Sequence, residues 1–281
     1  MAVEKRAAEL PEKKVGLALG SGAARGLAHI GVLAVLEKEG IPIDMIAGTS
    51  AGAAIGAIYA RGKTSAEIEK LVLEITSKRI ASFIDPSLPK TGFIKGNKFK
   101  ELLTSVIGNN LKFSDLIIPF ACVATDINTG EEVIFDSGSV TEAVRASISI
   151  PAIFSAVKSG GRYLVDGALV NPVPVSVLKK MGAGFIIAVN VIPDATARAH
   201  HFNKDRTTIL KEPNLIYILA QSTYIGAYSL VKSSLEDADI FIEPQVAHIG
   251  SGDFHHVCEC ILQGKLAAQA SIPEIKKQLE L

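Results

Sequence analysis

Three short segments rich in small residues carry the groups best suited to chemistry. Gly48-Thr49-Ser50-Ala51-Gly52 is a G-x-S-x-G run between a predicted strand at 44–49 and a predicted helix at 51–61. A serine on such a turn projects from the sheet edge at a helix N-terminus, where the positive dipole end favours developing negative charge. Small neighbours let the strand and the helix approach each other. The pattern alone suits a small-residue turn with no chemistry as well as a nucleophile elbow, and the strand–helix context favours the elbow. The second segment is Gly20-Ser21-Gly22-Ala23-Ala24-Arg25-Gly26, directly after a predicted strand at 15–20. Its small residues allow several N–H groups to turn toward one point, as an anion requires. The third is Val165-Asp166-Gly167-Ala168 at the end of a predicted strand. There a carboxylate can face a cavity with little steric cover, or simply sit in a solvated turn.

The glycine turn has two functional readings. A dinucleotide loop wants glycines at relative positions one, three and six. Gly20 and Gly22 fit, but Arg25 takes the sixth place, and a nucleotide-dependent oxidoreductase is disfavoured for that reason. The other reading is an oxyanion hole serving Ser50. A serine nucleophile also needs a base. His29 precedes Ser50, and His200, His201, His248, His255 and His256 lie in the carboxyl-terminal part, none in a convincing strand-end loop. A Ser-His-Asp triad stays open on these grounds, with no obvious histidine to complete it.

The elements that must position these groups alternate along the chain. Short apolar runs predict strands at 15–20, 44–49, 119–125, 131–135, 162–165, 184–191 and 239–243. Helical spacing predicts helices at 26–39, 51–61, 64–77, 97–107, 141–147, 173–180 and 213–235, with one or two more in 255–279. Thr64-Ser65-Ala66-Glu67 is a capping box. Alternation of this kind implies an α/β layered, mostly parallel sheet. Residues 80–98 read as a long Pro/Gly loop, and 195–206 as a polar loop.

The 281 residues allow one large domain or two small ones, and 48% hydrophobic residues are enough for a substantial core. Lys+Arg 29 against Asp+Glu 29 removes the basic bias of a nucleic-acid binder. Three cysteines, Cys122, Cys258 and Cys260, argue against a disulfide framework and fit a reducing compartment. Residues 1–14 lack an apolar core for a secretory signal, and no apolar run approaches the roughly 20 residues needed to span a bilayer. The expectation is a cytoplasmic protein, at most peripheral to a membrane.

The three segments, in this order and spacing, resemble the patatin-like phospholipase family. The resemblance extends to Leu27-Ala28-His29-Ile30-Gly31 and to Ala146-Ser147 through Pro151 and Phe154, and covers about residues 15–191. It implies a three-layer αβα fold, with a catalytic core at 15–192 and a mainly helical extension at 193–281 packed on it. It implies a Ser–Asp dyad without histidine: Ser50 as nucleophile and Asp166 as base. Gly20, Ser21, Gly22, Ala23, Ala24, Arg25 and Gly26 would form the oxyanion turn, with Gly22 and Ala23 as donors. Gly48, Gly52, Gly167 and Ala168 would support the elbow and the acid. The implied activity is hydrolysis of a lysophospholipid or phospholipid acyl ester, with no metal and no cofactor. Bacterial relatives usually carry four glycines in a run where this chain has Ser21 and Ala23, which have less access to positive φ. A non-catalytic lipid-binding or regulatory module with an inert elbow is the alternative.

Other residues invite weaker readings. His248, His255, His256, Cys258 and Cys260 cluster, but their spacing lacks the paired ligands of a zinc site. Arg25 suits a lipid phosphate or a brace on loop carbonyls, and Asp126 a second acid or a turn. Phe83, Ile84, Phe93 and Ile94 suit a lid over acyl chains or a satellite core. The stripe Ile216, Leu219, Thr223, Ala227 and Leu230 predicts a packing face, compatible with a homo-oligomer.

Overall fold

The computed structural model describes residues 13–77, 92–194 and 215–281, so Phe83, Ile84, His200 and His201 lie outside the described residues. β1 (Val15–Leu19) leads through a 3-10 turn (Ala23–Leu27) into α1 (Ala28–Lys38). β2 (Met45–Thr49) runs directly into α2 (Ala51–Ala60), and α3 (Ser65–Ser77) follows. Next come β3 (Gly92–Ile94), α4 (Asn97–Ile107), β4 (Phe120–Asp126), β5 (Glu132–Phe135) and α5 (Val140–Ser147). Three short strands, β6 (Ala152–Phe154), β7 (Val157–Ser159) and β8 (Arg162–Asp166), precede α6 (Val175–Met181) and β9 (Phe185–Val189). α7 (Leu215–Leu235), β10 (Ile240–Ile242) and α8 (Val257–Leu279) follow.

Among the described residues the main sheet runs β10-β9-β1-β2-β4-β8-β7, with β5 also on β4. Pairing is parallel from β10 to β4 and antiparallel for β5, β8 and β7. The central strands are apolar throughout because both faces are covered. Leu17, Leu19, Ile46, Phe120, Ile187 and Val189 face a core shared with α1, α2 and α8. Ala18, Met45, Ala47, Ala121, Ile186 and Ala188 face Val175, Leu178, Tyr224, Ala227 and Val231 of α6 and α7. The result is a three-layer αβα arrangement. Residues beyond 193 take part in it: β10 extends the sheet and α8 lies on α1.

Several elements differ from their sequence reading. The helix expected from residue 26 begins instead as the 3-10 turn at Ala23–Leu27, and the α-helix proper starts at Ala28. The 255–279 region holds one continuous helix, Val257–Leu279, with Pro273 inside it. The packing face of α7 runs through Tyr224, Ala227 and Val231, whereas Leu219 is exposed. β3, which lies inside the stretch read as a loop at 80–98, and β6 and β7 have no sequence counterpart; β3 pairs with β6 and β7 with β8. The capping box behaves as read, with the Thr64 N–H donating to Glu67 Oε2 at 2.9 Å and the Glu67 N–H to Thr64 Oγ1 at 3.3 Å.

α1 and α8 cross at contact distance through glycines. A Cβ on Gly264 would lie 2.0 Å from the Ala28 carbonyl oxygen, so nothing larger fits without parting the helices. Gly264→Ala is therefore expected to cost about 1–3 kcal/mol in urea unfolding, the range for overpacking. Gly226→Ala on α7, where a Cβ meets nothing within 4 Å, is expected to gain about 0.5–1 kcal/mol through helix propensity.

Candidate active site

The sheet register brings the serine and the aspartate together. β2 pairs with Phe120–Val123 of β4, and β8 pairs with Ala124–Asp126 of the same strand. β5 overlaps both stretches and must occupy the opposite edge. β2 and β8 therefore lie end to end along one edge of β4, Thr49 opposite Val123 and Asp166 opposite Ala124. The residue after Thr49 is Ser50, so two groups far apart in sequence meet where two strand ends abut.

Ser50 sits at φ +54° and ψ −118°, a left-handed φ that costs a non-glycine residue about 1–3 kcal/mol and persists only when its surroundings over-determine it. Its N–H donates to Ser147 Oγ at 2.9 Å. Its own hydroxyl donates to Asp166 Oδ2 at 2.6 Å. Gly52 is required by a close approach, since a Cβ there would meet the Leu19 carbonyl oxygen at 2.0 Å. Gly48 is the residue before Thr49 in β2, and the Thr49 hydroxyl donates to the Asn171 carbonyl at 2.8 Å.

Asp166 is held at every polar atom. Its N–H donates to the Ser149 carbonyl at 2.9 Å, and its carbonyl accepts from Thr125 Oγ1 at 2.9 Å. Oδ1 accepts from the Ala168 N–H at 2.9 Å, within the 3-10 turn Gly167–Leu169. Only 1% of the residue is exposed. Burial pushes the carboxyl up to about 7, and the hydrogen bonds from Ser50 and Ala168 only partly oppose that.

The turn at 20–26 lies against the same elbow: a Cβ on Gly26 would be 2.3 Å from the Ala51 Cβ. Within the turn the Gly20 N–H donates to the Val189 carbonyl and the Ser21 N–H to that of Pro172. The Ala24 N–H donates to the Ser251 carbonyl and the Arg25 N–H to that of Gly22. Among the described residues the N–H groups of Gly22 and Ala23 donate to no protein acceptor. Ala23 takes φ +49°. The buried Ser21 hydroxyl also finds no partner among the described residues.

Other candidates fall elsewhere. His29 is buried, bonds through Nε2 to the Gly20 carbonyl at 2.8 Å and is pushed down to about 4 by burial, so it is neutral near pH 7. Arg25 is buried, with Nε donating to the Ile249 carbonyl at 2.6 Å: it braces the turn. Asp126 closes the β4–β5 turn through the Asn128 N–H at 3.0 Å. Ile94 belongs to the β3–β6 ladder. Cys122 and Cys260 are buried free thiols and Cys258 is exposed. Ser147, Ser149 and Thr125 were not singled out by chemistry in the sequence; their hydroxyls and carbonyls act on backbone groups, which leaves no pattern of residue types to find.

A family model described as patatin-like phospholipase matches residues 17–179. An uncharacterized NTE family protein of Mycobacterium tuberculosis is 36% identical over 178 residues, covering 63% of this chain and 49% of that protein. Lysophospholipase NTE1 of Scheffersomyces stipitis is 36% identical over 267 residues, covering 87% of this chain and 17% of that protein. The chain thus spans about half, or less, of the length of these curated relatives. Among solved structures, VipD from Legionella pneumophila superposes with a TM-score of 0.62 at 14% identity, covering 94% of this chain and 67% of that one, a likeness of fold. No described helix is long and apolar enough to cross a membrane.

The raised carboxyl of Asp166 has a consequence for stability. The folded state holds this proton more tightly than the unfolded chain, where the carboxyl titrates near 3.8. The resulting stabilisation is present below about pH 4 and is lost as pH rises through about 7. Asp166→Asn removes that loss. In urea unfolding at several pH values, the difference between variant and wild type should move in the variant's favour from about pH 5 to pH 8. A difference that stays flat would show that the carboxyl is not raised.

Proposed function

The chain belongs to the patatin-like phospholipase family, and from that premise we propose that it hydrolyses carboxylic esters of acyl lipids, with Ser50 as nucleophile and Asp166 as its base. The observation that carries this reading is the 2.6 Å hydrogen bond from Ser50 Oγ to a buried carboxyl raised to about 7. An ordinary aspartate, near 3.9, is a weak base for a hydroxyl. One that titrates near the working pH combines the right protonation state with useful basicity.

The reaction divides into two stages. Ser50 Oγ attacks the ester carbonyl carbon while its proton passes to Asp166 Oδ2. The carbonyl oxygen becomes an oxyanion, and the Gly22 and Ala23 N–H groups are the donors available to it in the adjoining turn. Each donor in such a hole is worth about 3–4 kcal/mol in a serine protease. The tetrahedral intermediate then collapses: the carbon–oxygen bond to the alcohol breaks, and that oxygen takes the proton from Asp166. Water attacks the acyl-Ser50 ester with Asp166 again as base, releasing the fatty acid and restoring the serine. His29 takes no part, because its ring is bonded to the Gly20 carbonyl.

The substrate class follows from the relatives named lysophospholipases. We assign a lysophospholipid or phospholipid acyl ester on that support. The competing module with an inert elbow predicts no covalent reactivity at Ser50.

A fluorophosphonate probe should label the wild type, and Ser50→Ala should remove the label and lower kcat by at least about 10³-fold. Asp166→Asn should fold and lose activity comparably. Because the base must be deprotonated, the wild-type rate on a soluble ester should rise with pH and reach half its plateau near pH 7. An unlabelled wild type, or full activity in a folded Asp166→Asn variant, overturns the assignment.

A further inference from the structure

The histidine- and cysteine-rich stretch near the carboxyl terminus lies outside both the dyad and the residues 17–179 matched by the family model. It folds as a polar loop between two buried anchors, Val246 and Ile249 on one side and Val257, Cys260 and Ile261 on the other. The loop is closed locally by the Gly250 N–H donating to Asp253 Oδ2 at 2.9 Å and the Asp253 N–H to the Gly250 carbonyl at 3.1 Å. At its base Glu259 joins the two ends. Oε1 takes His248 Nε2 at 2.6 Å, and Oε2 takes His256 Nδ1 at 2.8 Å. These bonds hold the Glu259 carboxyl below the usual carboxylate range. The His255 ring lies 4.2 Å from that of His256.

Among the described residues, the loop and the first turn of α8 bond the turn that follows β1. The Ser251 carbonyl accepts the Ala24 N–H at 3.1 Å, and the Ile249 carbonyl accepts Arg25 Nε at 2.6 Å. The Cys260 thiol donates to the Ala24 carbonyl at 3.6 Å. Both residues after Ala23, which holds φ +49°, are therefore fixed by main-chain carbonyls from more than 200 positions away. A carbonyl can be aimed only by setting the loop that carries it. Gly250 and Gly252 give this loop little stiffness of its own, so its shape depends on its polar closures.

We propose that Glu259 is a positioning residue for the oxyanion turn: by tying His248 to His256 it sets the Ile249 and Ser251 carbonyls, which hold Arg25 and Ala24 and keep the Gly22 and Ala23 amides unpaired and aimed at the elbow. The role rests on the hydrolase reading above. It assigns the carboxyl-terminal loop to the site itself.

The test uses the full chain with Glu259→Ala and Glu259→Gln, a soluble p-nitrophenyl ester as substrate, and hydrogen exchange at the Ala24 amide. Glu259→Ala should lower kcat about tenfold with KM within about twofold, less than the 10²–10³ lost when a donor is removed outright. Exchange at the Ala24 amide should speed up by a similar factor. Glu259→Gln, which still accepts from one histidine, should fall between. Wild-type kcat in Glu259→Ala, or an Ala24 amide as protected as before, overturns the role. So does a fall in kcat that only tracks a loss of folded protein. A wild type that neither hydrolyses nor reacts with fluorophosphonate removes the hydrolase reading and this role with it, whereas an active wild type with an indifferent Glu259 removes the role alone.

Discussion

One edge of β4 organises the candidate site. It is long enough to pair with β2 along its first half and with β8 along its second, the two strands running toward each other. The end-to-end meeting is possible because β2 stops at Thr49, where the chain turns sharply into α2, and β8 stops at Asp166, where it turns into Gly167–Leu169. A one-residue slip of either strand would send the alternating side chains to the opposite face and separate the hydroxyl from the carboxylate. The buried apolar residues of β1, β2, β4 and β9 guard against that slip, since each would have to exchange the α1/α2/α8 face for the α6/α7 face. Core packing and the placement of the candidate dyad are thus one constraint.

The same burial sets the electrostatics. A carboxyl removed from water favours its protonated form, and the hydrogen bonds from the Ser50 hydroxyl and the Ala168 N–H restore only part of the lost hydration. Burial acts in the opposite sense on His29, which stays neutral and holds the Gly20 carbonyl. The centre therefore contains one titrating group poised near neutrality and a histidine withdrawn from proton transfer. Two of the five described non-glycine residues with positive φ, Ser50 and Ala23, lie beside them. Polar contacts from distant segments offset the strain of those conformations: Ser147 at the elbow, Ile249 and Ser251 at the turn.

The sequence was most informative where local rules and burial agree. VGLAL and MIAGT are wholly apolar or small and are fully buried parallel strands. The elbow serine and the strand-end aspartate were legible because few residue types can serve at such turns, and the resemblance joined them. The strands β3, β6 and β7, three residues each, were not legible, because β3 and β6 exist only through pairing with each other and β7 through pairing with β8. The stripe expected on α7 holds at Ala227, but Leu219 is exposed and the helix turns Tyr224 and Val231 inward instead, since α6 and the sheet decide which stripe is covered. Spacing could not show that Asp166 is buried and raised. Nor could it show that His248 and His256 meet at the Glu259 carboxylate or that the Cys260 thiol reaches the Ala24 carbonyl, because those contacts depend on how the loop between them folds.

Ala23 shows how these levels connect. A glycine at that position would reach positive φ without steric cost, whereas alanine pays for its Cβ there. In the unfolded chain, however, alanine samples fewer conformations, so folding the turn loses less entropy. The conformation is favourable only where other contacts hold it in place. Here those contacts are the carbonyls of Ile249 and Ser251, the Cys260 thiol, and the close fit of Gly26 against Ala51. A turn of mixed Gly, Ser and Ala thus depends on residues beyond the matched core, while a run of glycines would depend on them less. The carboxyl-terminal segment, which adds β10 to the sheet and lays α8 on α1, carries that support as part of its own packing.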